Sequence, residues 1–226
     1  MIPHKIIYGN PRCGTNFITK WYANEYPNHK RLSEKFGFAH FSPHYEGWPD
    51  IHDKEGIDQE TKLRIKNDLA QPSIFKVHPG PDMSDYIFDY IFKMPLIVVK
   101  RKDILGQFLS YGLGFTTKLW VNYEPKLKFD YMLKAKEKFT YKKEWFDDLA
   151  SRLKELEKKQ KTLNIEKLIW FEDIPNLKVN GKLPEKLNSF SNRKKLTFLN
   201  NSDEFMGWFL NFYNTFNMEE KNENYF

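Results

Sequence analysis

Thiols are almost missing from this sequence: Cys13 is the one cysteine among 226 residues. That excludes an intramolecular disulfide framework and any zinc site built on clustered cysteines, and it suits a reducing compartment. Long apolar runs are missing as well. No stretch approaches the roughly 18 to 20 apolar residues of a membrane span. The segment from Met1 to Ile7 is too short in apolar residues for a signal peptide, so a cytoplasmic protein with no membrane partner is expected. Arginine is scarce, with 6 against 30 lysines, a bias of codon usage rather than of chemistry. The net charge of +6 and pI near 9.1 suit a polyanion or a phosphorylated small molecule without choosing between them. What is abundant is ring carbon: 20 Phe, 12 Tyr and 6 Trp supply bulky core material. With 40% hydrophobic residues, they rule out a disordered or collagen-like chain. The length predicts one domain over residues 1–226.

Apolar runs of strand length occur at Lys5 to Tyr8, Ser73 to Val77, Pro95 to Val99 and Lys167 to Phe171, and read as buried strands. Helical periodicity lies between them, at Gly14 to Glu25, Gln59 to Ala70, Ser84 to Phe92, Asp103 to Leu113 and Asp130 to Leu163. In the last of these Phe146, Leu149, Leu153, Leu156 and Leu163 make an amphipathic stripe. Strands alternating with helices predict an α/β fold, a parallel sheet flanked by helices on both faces. Residues 28–58, with breakers at Gly37, Pro43, Gly47, Pro49 and Gly56, read as a long loop or lid. In the tail, Phe205, Trp208, Phe209, Phe212 and Phe216 share a helix face, the pattern of a core stripe.

The sharpest local signal is Ile6-Ile7-Tyr8-Gly9-Asn10-Pro11-Arg12-Cys13-Gly14-Thr15-Asn16-Phe17, a strand passing through a small turn into a helix. Such a turn points successive N–H groups and the positive end of the helix at an anion. The Gly9 to Gly14 spacing equals that of the P-loop of nucleotide triphosphatases, but Thr15 and Asn16 stand where the loop's Lys and Ser/Thr belong. The lysine that would hold β and γ phosphates is absent, and a cation sits inside the turn instead, at Arg12. The run Pro11-Arg12-Cys13-Gly14-Thr15-Asn16-Phe17 resembles the 5′-phosphosulfate loop of sulfotransferases, Pro-(Lys/Arg)-Ser-Gly-Thr-(Thr/Asn)-aromatic or aliphatic. Cys13 departs from its serine, and a thiol is the poorer hydrogen-bond donor. Beside Arg12 at a helix start, the thiol is expected below its ordinary pKa and open to oxidation; its simpler role is to fill a small space.

Three further segments extend the resemblance. Leu96-Ile97-Val98-Val99-Lys100-Arg101-Lys102-Asp103 is a strand ending in cations before a helix capped by Asp103. On that helix Asp103, Gln107, Ser110 and Gly114 make one polar stripe. The segment resembles the 3′-phosphate-binding element of sulfotransferases, which gives Arg101 and Ser110 to the 3′-phosphate of 3′-phosphoadenosine 5′-phosphosulfate. Ile74-Phe75-Lys76-Val77-His78-Pro79 puts Lys76 and His78 on one face of a strand, and resembles the Lys-Thr-His segment of cytosolic sulfotransferases. By that resemblance His78 is the catalytic base and Lys76 assists at the sulfonate. Glu34, in Leu32-Ser33-Glu34-Lys35-Phe36, competes as base, since other branches use a glutamate from an early loop. Leu168-Ile169-Trp170-Phe171-Glu172-Asp173-Ile174 resembles the family's Tyr-Glu-Asp-Leu strand end; its carboxylates would cap the next helix and orient neighbouring cations.

Together these segments imply a P-loop-like sulfotransferase that moves a sulfonate to an acceptor hydroxyl on a carbohydrate, small molecule or protein side chain. Arg12, Lys76 and His78 (or Glu34) are expected at the reacting group, and Pro11 to Phe17, Arg101 and Ser110 at the nucleotide, with no metal. His40, His44, His52, Asp50 and Asp53 invite a metal reading, but Pro43 breaks the helical spacing of His40 and His44; with Tyr45 and Trp48 they suit acceptor contacts better. Two other readings remain. A P-loop kinase-like phosphotransferase would place Glu172 or Asp173 on Mg²⁺. A nucleic-acid-binding module would use the fourteen basic residues, against nine acidic, between Lys118 and Lys167; their interspersion with acids reads instead as a solvated face.

Overall fold

The computed structural model describes residues 4–36, 59–78, 92–117, 137–179, 181 and 192–223. The chain divides into two compact units, Met1–Lys102 with Glu155–Leu187, and Asp103–Lys154 with Asn188–Phe226.

The first unit is built on a five-stranded sheet in the order β2-β3-β1-β4-β5. Its strands are β1 (Lys5–Gly9), β2 (Lys30–Phe36), β3 (Ser73–Val77), β4 (Leu96–Lys100) and β5 (Ile165–Trp170), and every neighbouring pair is parallel. Parallel neighbours need crossovers, and α1 (Thr15–Glu25) and α2 (Gln59–Asp68) supply two of them. The three central strands are buried on both faces, which explains their mostly apolar sequences; in β3 the exceptions are Ser73 and Lys76, both buried. Ile6, Tyr8, Phe75, Val77, Leu96 and Val98 pack on one side with Ile65, Leu69, Phe92 and Leu156. Ile7, Ile74, Ile97 and Val99 pack on the other with Ile18, Trp21 and Tyr22 of α1. Each such side chain contributes about 1.5 to 3 kcal/mol by leaving water, and β1, at the centre of the sheet between β3 and β4, has Ile6, Ile7 and Tyr8 fully buried.

Part of the expected loop at 28–58 is strand: Lys30–Phe36 pairs with β3 through two register shifts. An edge strand rich in charge, with Leu32 as its described buried apolar residue, shows no apolar run to read. Residues 37–58 and the expected helix at Ser84 to Phe92, apart from Phe92, lie outside the described residues.

The second unit is helical. It holds α3 (Ile104–Thr117), the Lys143 to Lys154 part of α4 (Lys143–Gln160), α5 (Asn192–Leu196) and α6 (Ser202–Glu223). Its core joins Phe108, Tyr141, Phe146, Leu149, Leu153, Phe205, Phe209, Phe212 and Phe216, so the aromatic stripe of the tail is core. Phe108 stacks on Phe146 at 4.5 Å, and the Tyr141 hydroxyl donates to the Phe108 carbonyl at 2.9 Å. No helix among the described residues is long and apolar enough to cross a membrane.

Candidate functional site

Because all five strands are parallel, their carboxyl ends lie along one edge of the sheet. The chain leaves β1 toward β2 and β3 on one side and places β4 and β5 on the other, so the order switches at β1. In open α/β sheets ligands bind at such a point. The segments singled out in the sequence end there: the Gly9 to Gly14 turn after β1, His78 after β3, Arg101 after β4 and Phe171 after β5.

The turn is tightly determined. A Cβ on Gly9 would run into the Val99 carbonyl and sit 2.9 Å from Cys13 Sγ, so only glycine fits. Arg12 has φ of 65° and Gly14 of 95°; a left-handed arginine is uncommon and strained, a feature that concentrates at functional sites. On Gly14 a Cβ would lie 2.8 Å from the Phe171 ring. Gly14 caps α1 with no side-chain hydrogen bond, and the first turn carries no acid, so nothing anionic from the helix itself quenches its positive end.

The turn carries one cation, Arg12, and lies beside two more, Arg101 and Lys76. Burial, and next the charge of Arg101, lower the Arg12 guanidinium to about 10. Two guanidinium charges felt at one turn make a place where an anion is favoured. Arg101 donates to the Arg12 carbonyl at 3.3 Å, lies 4.6 Å above the Phe171 ring, and has Glu172 at 3.9 Å. Glu172 also accepts from the Lys102 N–H at 3.0 Å, and Lys102 pairs with Asp173 at 3.3 Å. These carboxylates thus hold the cationic strand end in place. Lys76, 4% exposed, donates to the Asn16 side-chain carbonyl. His78, 9% exposed, has Nδ1 at 2.6 Å from the Gly9 carbonyl oxygen.

Cys13 corrects an expectation. Its thiol donates to the Asn10 carbonyl at 2.8 Å, and burial pushes its pKa up to about 12 against the smaller lowering effects of backbone hydrogen bonds, Arg101 and Lys76. A helix start and a nearby arginine lower a thiol only where water or a charge can reach it; here desolvation wins. Thr15 is buried, its carbonyl accepting from Thr19 at 2.7 Å, and Phe17 is half-buried, packing toward Trp21 at 6.2 Å.

Glu34 falls on β2, between the register positions Ser33↔Phe75 and Phe36↔Val77; its side chain lies outside the described residues, as do Pro79, His40, His44, Tyr45, Trp48, Asp50, His52 and Asp53. Ser110 belongs to the second unit. There it is buried on α3 and accepts from Lys195 Nζ at 3.0 Å, while Asp103 accepts from the Gly106 N–H at 2.9 Å, capping α3, and from Asn192 at 2.7 Å. Lys195, 4% exposed, has no local signal in the sequence, where it is one basic residue in the run Arg193-Lys194-Lys195. Phe171 reads there as strand, not as the ring under Gly14 and Arg101. Among the described residues no group of three or more His, Cys, Asp or Glu side chains comes together as a metal site would require. No family model matches the chain, and neither the curated proteins nor the solved structures include a match.

Proposed function

We propose that this chain is a sulfotransferase of P-loop-like sulfotransferase fold, transferring a sulfonate from 3′-phosphoadenosine 5′-phosphosulfate to an acceptor hydroxyl. The observation that carries the reading is that His78 bonds to Gly9, which opens the turn holding Arg12, and Lys76 to Asn16 in the first turn of the helix that follows it, although the three residues come from separate segments. The resemblance assigns these same three to the reacting group. The site's chemistry fits an anionic nucleotide: a helix start with no side-chain cap and no acid in its first turn, a strained Arg12, and Arg101 and Lys76 beside the turn.

The donor supplies an activated sulfonate; the chain's residues do the rest. The turn's N–H groups and Arg12 face the oxygen on which charge builds as its bond to sulfur breaks. Lys76, fixed by Asn16, holds the sulfonate in line. His78 takes the proton as the acceptor O–H bond breaks and the new O–S bond forms. Arg101, set by the Arg12 carbonyl, Phe171 and Glu172, binds the 3′-phosphate. The acceptor's identity is tested directly: incubate a cell extract with the protein and donor carrying a labelled sulfonate, then find the labelled ester by mass spectrometry. Transfer should persist in EDTA, without ATP hydrolysis. ATP turnover abolished by EDTA and restored by Mg²⁺ would instead favour a kinase-like phosphotransferase.

A further inference from the structure

His78 and Gly9 lie 69 residues apart and come from different strands, yet the imidazole Nδ1 sits 2.6 Å from the Gly9 carbonyl oxygen in buried surroundings. A carbonyl oxygen carries lone pairs and no hydrogen, so at this separation the hydrogen belongs to Nδ1. A neutral imidazole protonated at Nδ1 has its lone pair on Nε2. We propose that the Gly9 carbonyl is a positioning group for proton transfer: it fixes His78 in the Nδ1–H tautomer, so that Nε2 is the nitrogen that takes the acceptor proton. This rests on the reading of His78 as the base.

The fold makes that carbonyl a fixed point. Gly9 closes β1, in register with Val99 of β4, and β1 is flanked on its other side by β3, Tyr8 opposite Val77. His78 is the next residue after Val77, so ring and carbonyl are carried by adjacent strands of one ladder. Since Val99, Cys13 and Thr15 crowd the missing Cβ of Gly9, the peptide has little freedom to turn its carbonyl elsewhere. When the acceptor O–H breaks, its proton bonds to Nε2, and Nδ1 keeps its hydrogen, still donated to the Gly9 carbonyl. The resulting imidazolium keeps a hydrogen-bond acceptor at the nitrogen away from the reaction, which both orients and stabilises it.

Long-range ¹H–¹⁵N correlation of the uniformly labelled full chain tests the tautomer, with the His78→Gln spectrum identifying the resonance among six histidines. The expected result is hydrogen on Nδ1 and an unprotonated Nε2, the reverse of the form free imidazole side chains favour in water. Hydrogen on Nε2, or an averaged pair, would overturn the proposal. The positioning role is read by weakening the acceptor. A synthetic peptide of residues 1–12, in which Asn10 is replaced by its α-hydroxy analogue, is ligated to residues 13–226 at the native Cys13; the Gly9 carbonyl then becomes an ester carbonyl. Against an amide-linked control, kcat should fall roughly tenfold while the donor KM, which reports an intact turn, stays near parental. Unchanged kcat would refute the role. Full turnover by His78→Ala alongside an Nδ1–H tautomer would overturn it through the base reading and not through the tautomer.

Discussion

At the scale of single residues, the site is governed by which charges are kept out of water and what faces them. Arg101 touches the Arg12 carbonyl, the Phe171 ring and Glu172, so it is aimed before any ligand arrives. Arg101→Ala should weaken binding of the 3′,5′-bisphosphate product by about 1.5 to 3 kcal/mol. It should also erase discrimination against nucleotides lacking the 3′-phosphate. Calorimetry on the two nucleotides reads both effects, and equal affinity in parent and variant would remove Arg101 from the site. His78 is a different kind of group, tied to the turn by its ring and not by a charge. His78→Ala should lower kcat by about two to four orders of magnitude and leave donor affinity nearly intact. Glu34→Gln, made in parallel, should stay active. If the losses were exchanged between the two variants, Glu34 would be the base.

Among the elements, α3 shows how closely helix and chain are matched. A Cβ on Gly112 would drive into the Tyr141 ring, and Tyr141 cannot step aside easily because its hydroxyl is held by the Phe108 carbonyl. Gly112→Ala gains up to about 1 kcal/mol of helix propensity, but overpacking costs about 1 to 3 kcal/mol. A lower denaturation midpoint is therefore expected, and a rise would mean that the ring moves freely. Elements of this kind differ in how openly the sequence declares them. β1, β3 and β4 are legible because strands buried on both faces are mostly apolar, and the Gly9 to Gly14 turn because its glycine spacing and Arg12 lie together in sequence. β2 is not legible, since an edge strand earns its place through backbone pairing and shows charge to water. The inward turn of Lys195 and the Phe171 ring beneath Gly14 depend on partners 85 and about 157 residues away, distances over which periodicity carries no information. The raised pKa of the Cys13 thiol is hidden for the same reason: its neighbour in sequence is the cation Arg12, while its burial is set by core residues distant in sequence.

On the scale of the molecule, burial of neutral acids makes alkali the vulnerable side. Burial raises Cys13 to about 12 and Tyr22 to about 12. It also pushes Tyr8, Tyr111 and Tyr141 upward, with Glu155 adding to Tyr8 and Asp148 to Tyr111. All these groups keep their protons in the folded state longer than in the unfolded one. As pH rises, the unfolded chain therefore releases protons first and becomes favoured. The thiol's share is complete below its ordinary value of 9.0 and is lost as pH climbs toward about 12; the tyrosines follow from their ordinary 10.0. Denaturation midpoints measured from pH 8 to 11 should fall, beginning near pH 9, and Cys13→Ser should delay the onset. A flat profile would contradict the burial of these groups.

Cys13 has one more consequence, a kinetic one. The chain's sole thiol lies in the turn that would grip the donor, enclosed and bonded to the Asn10 carbonyl. A thiol reagent can therefore attack the native protein only during moments when that turn opens, and its rate measures how often this happens. The bisphosphate product should slow the reaction by the factor 1 + [L]/Kd if it binds the closed turn alone, so labelling at a series of nucleotide concentrations gives an affinity without any turnover. Labelling as fast as that of an unfolded thiol would show that the turn is open most of the time. Nucleotide-independent labelling would place the ligand elsewhere. The protein thus carries, at one atom, a clock for the opening of the turn after β1.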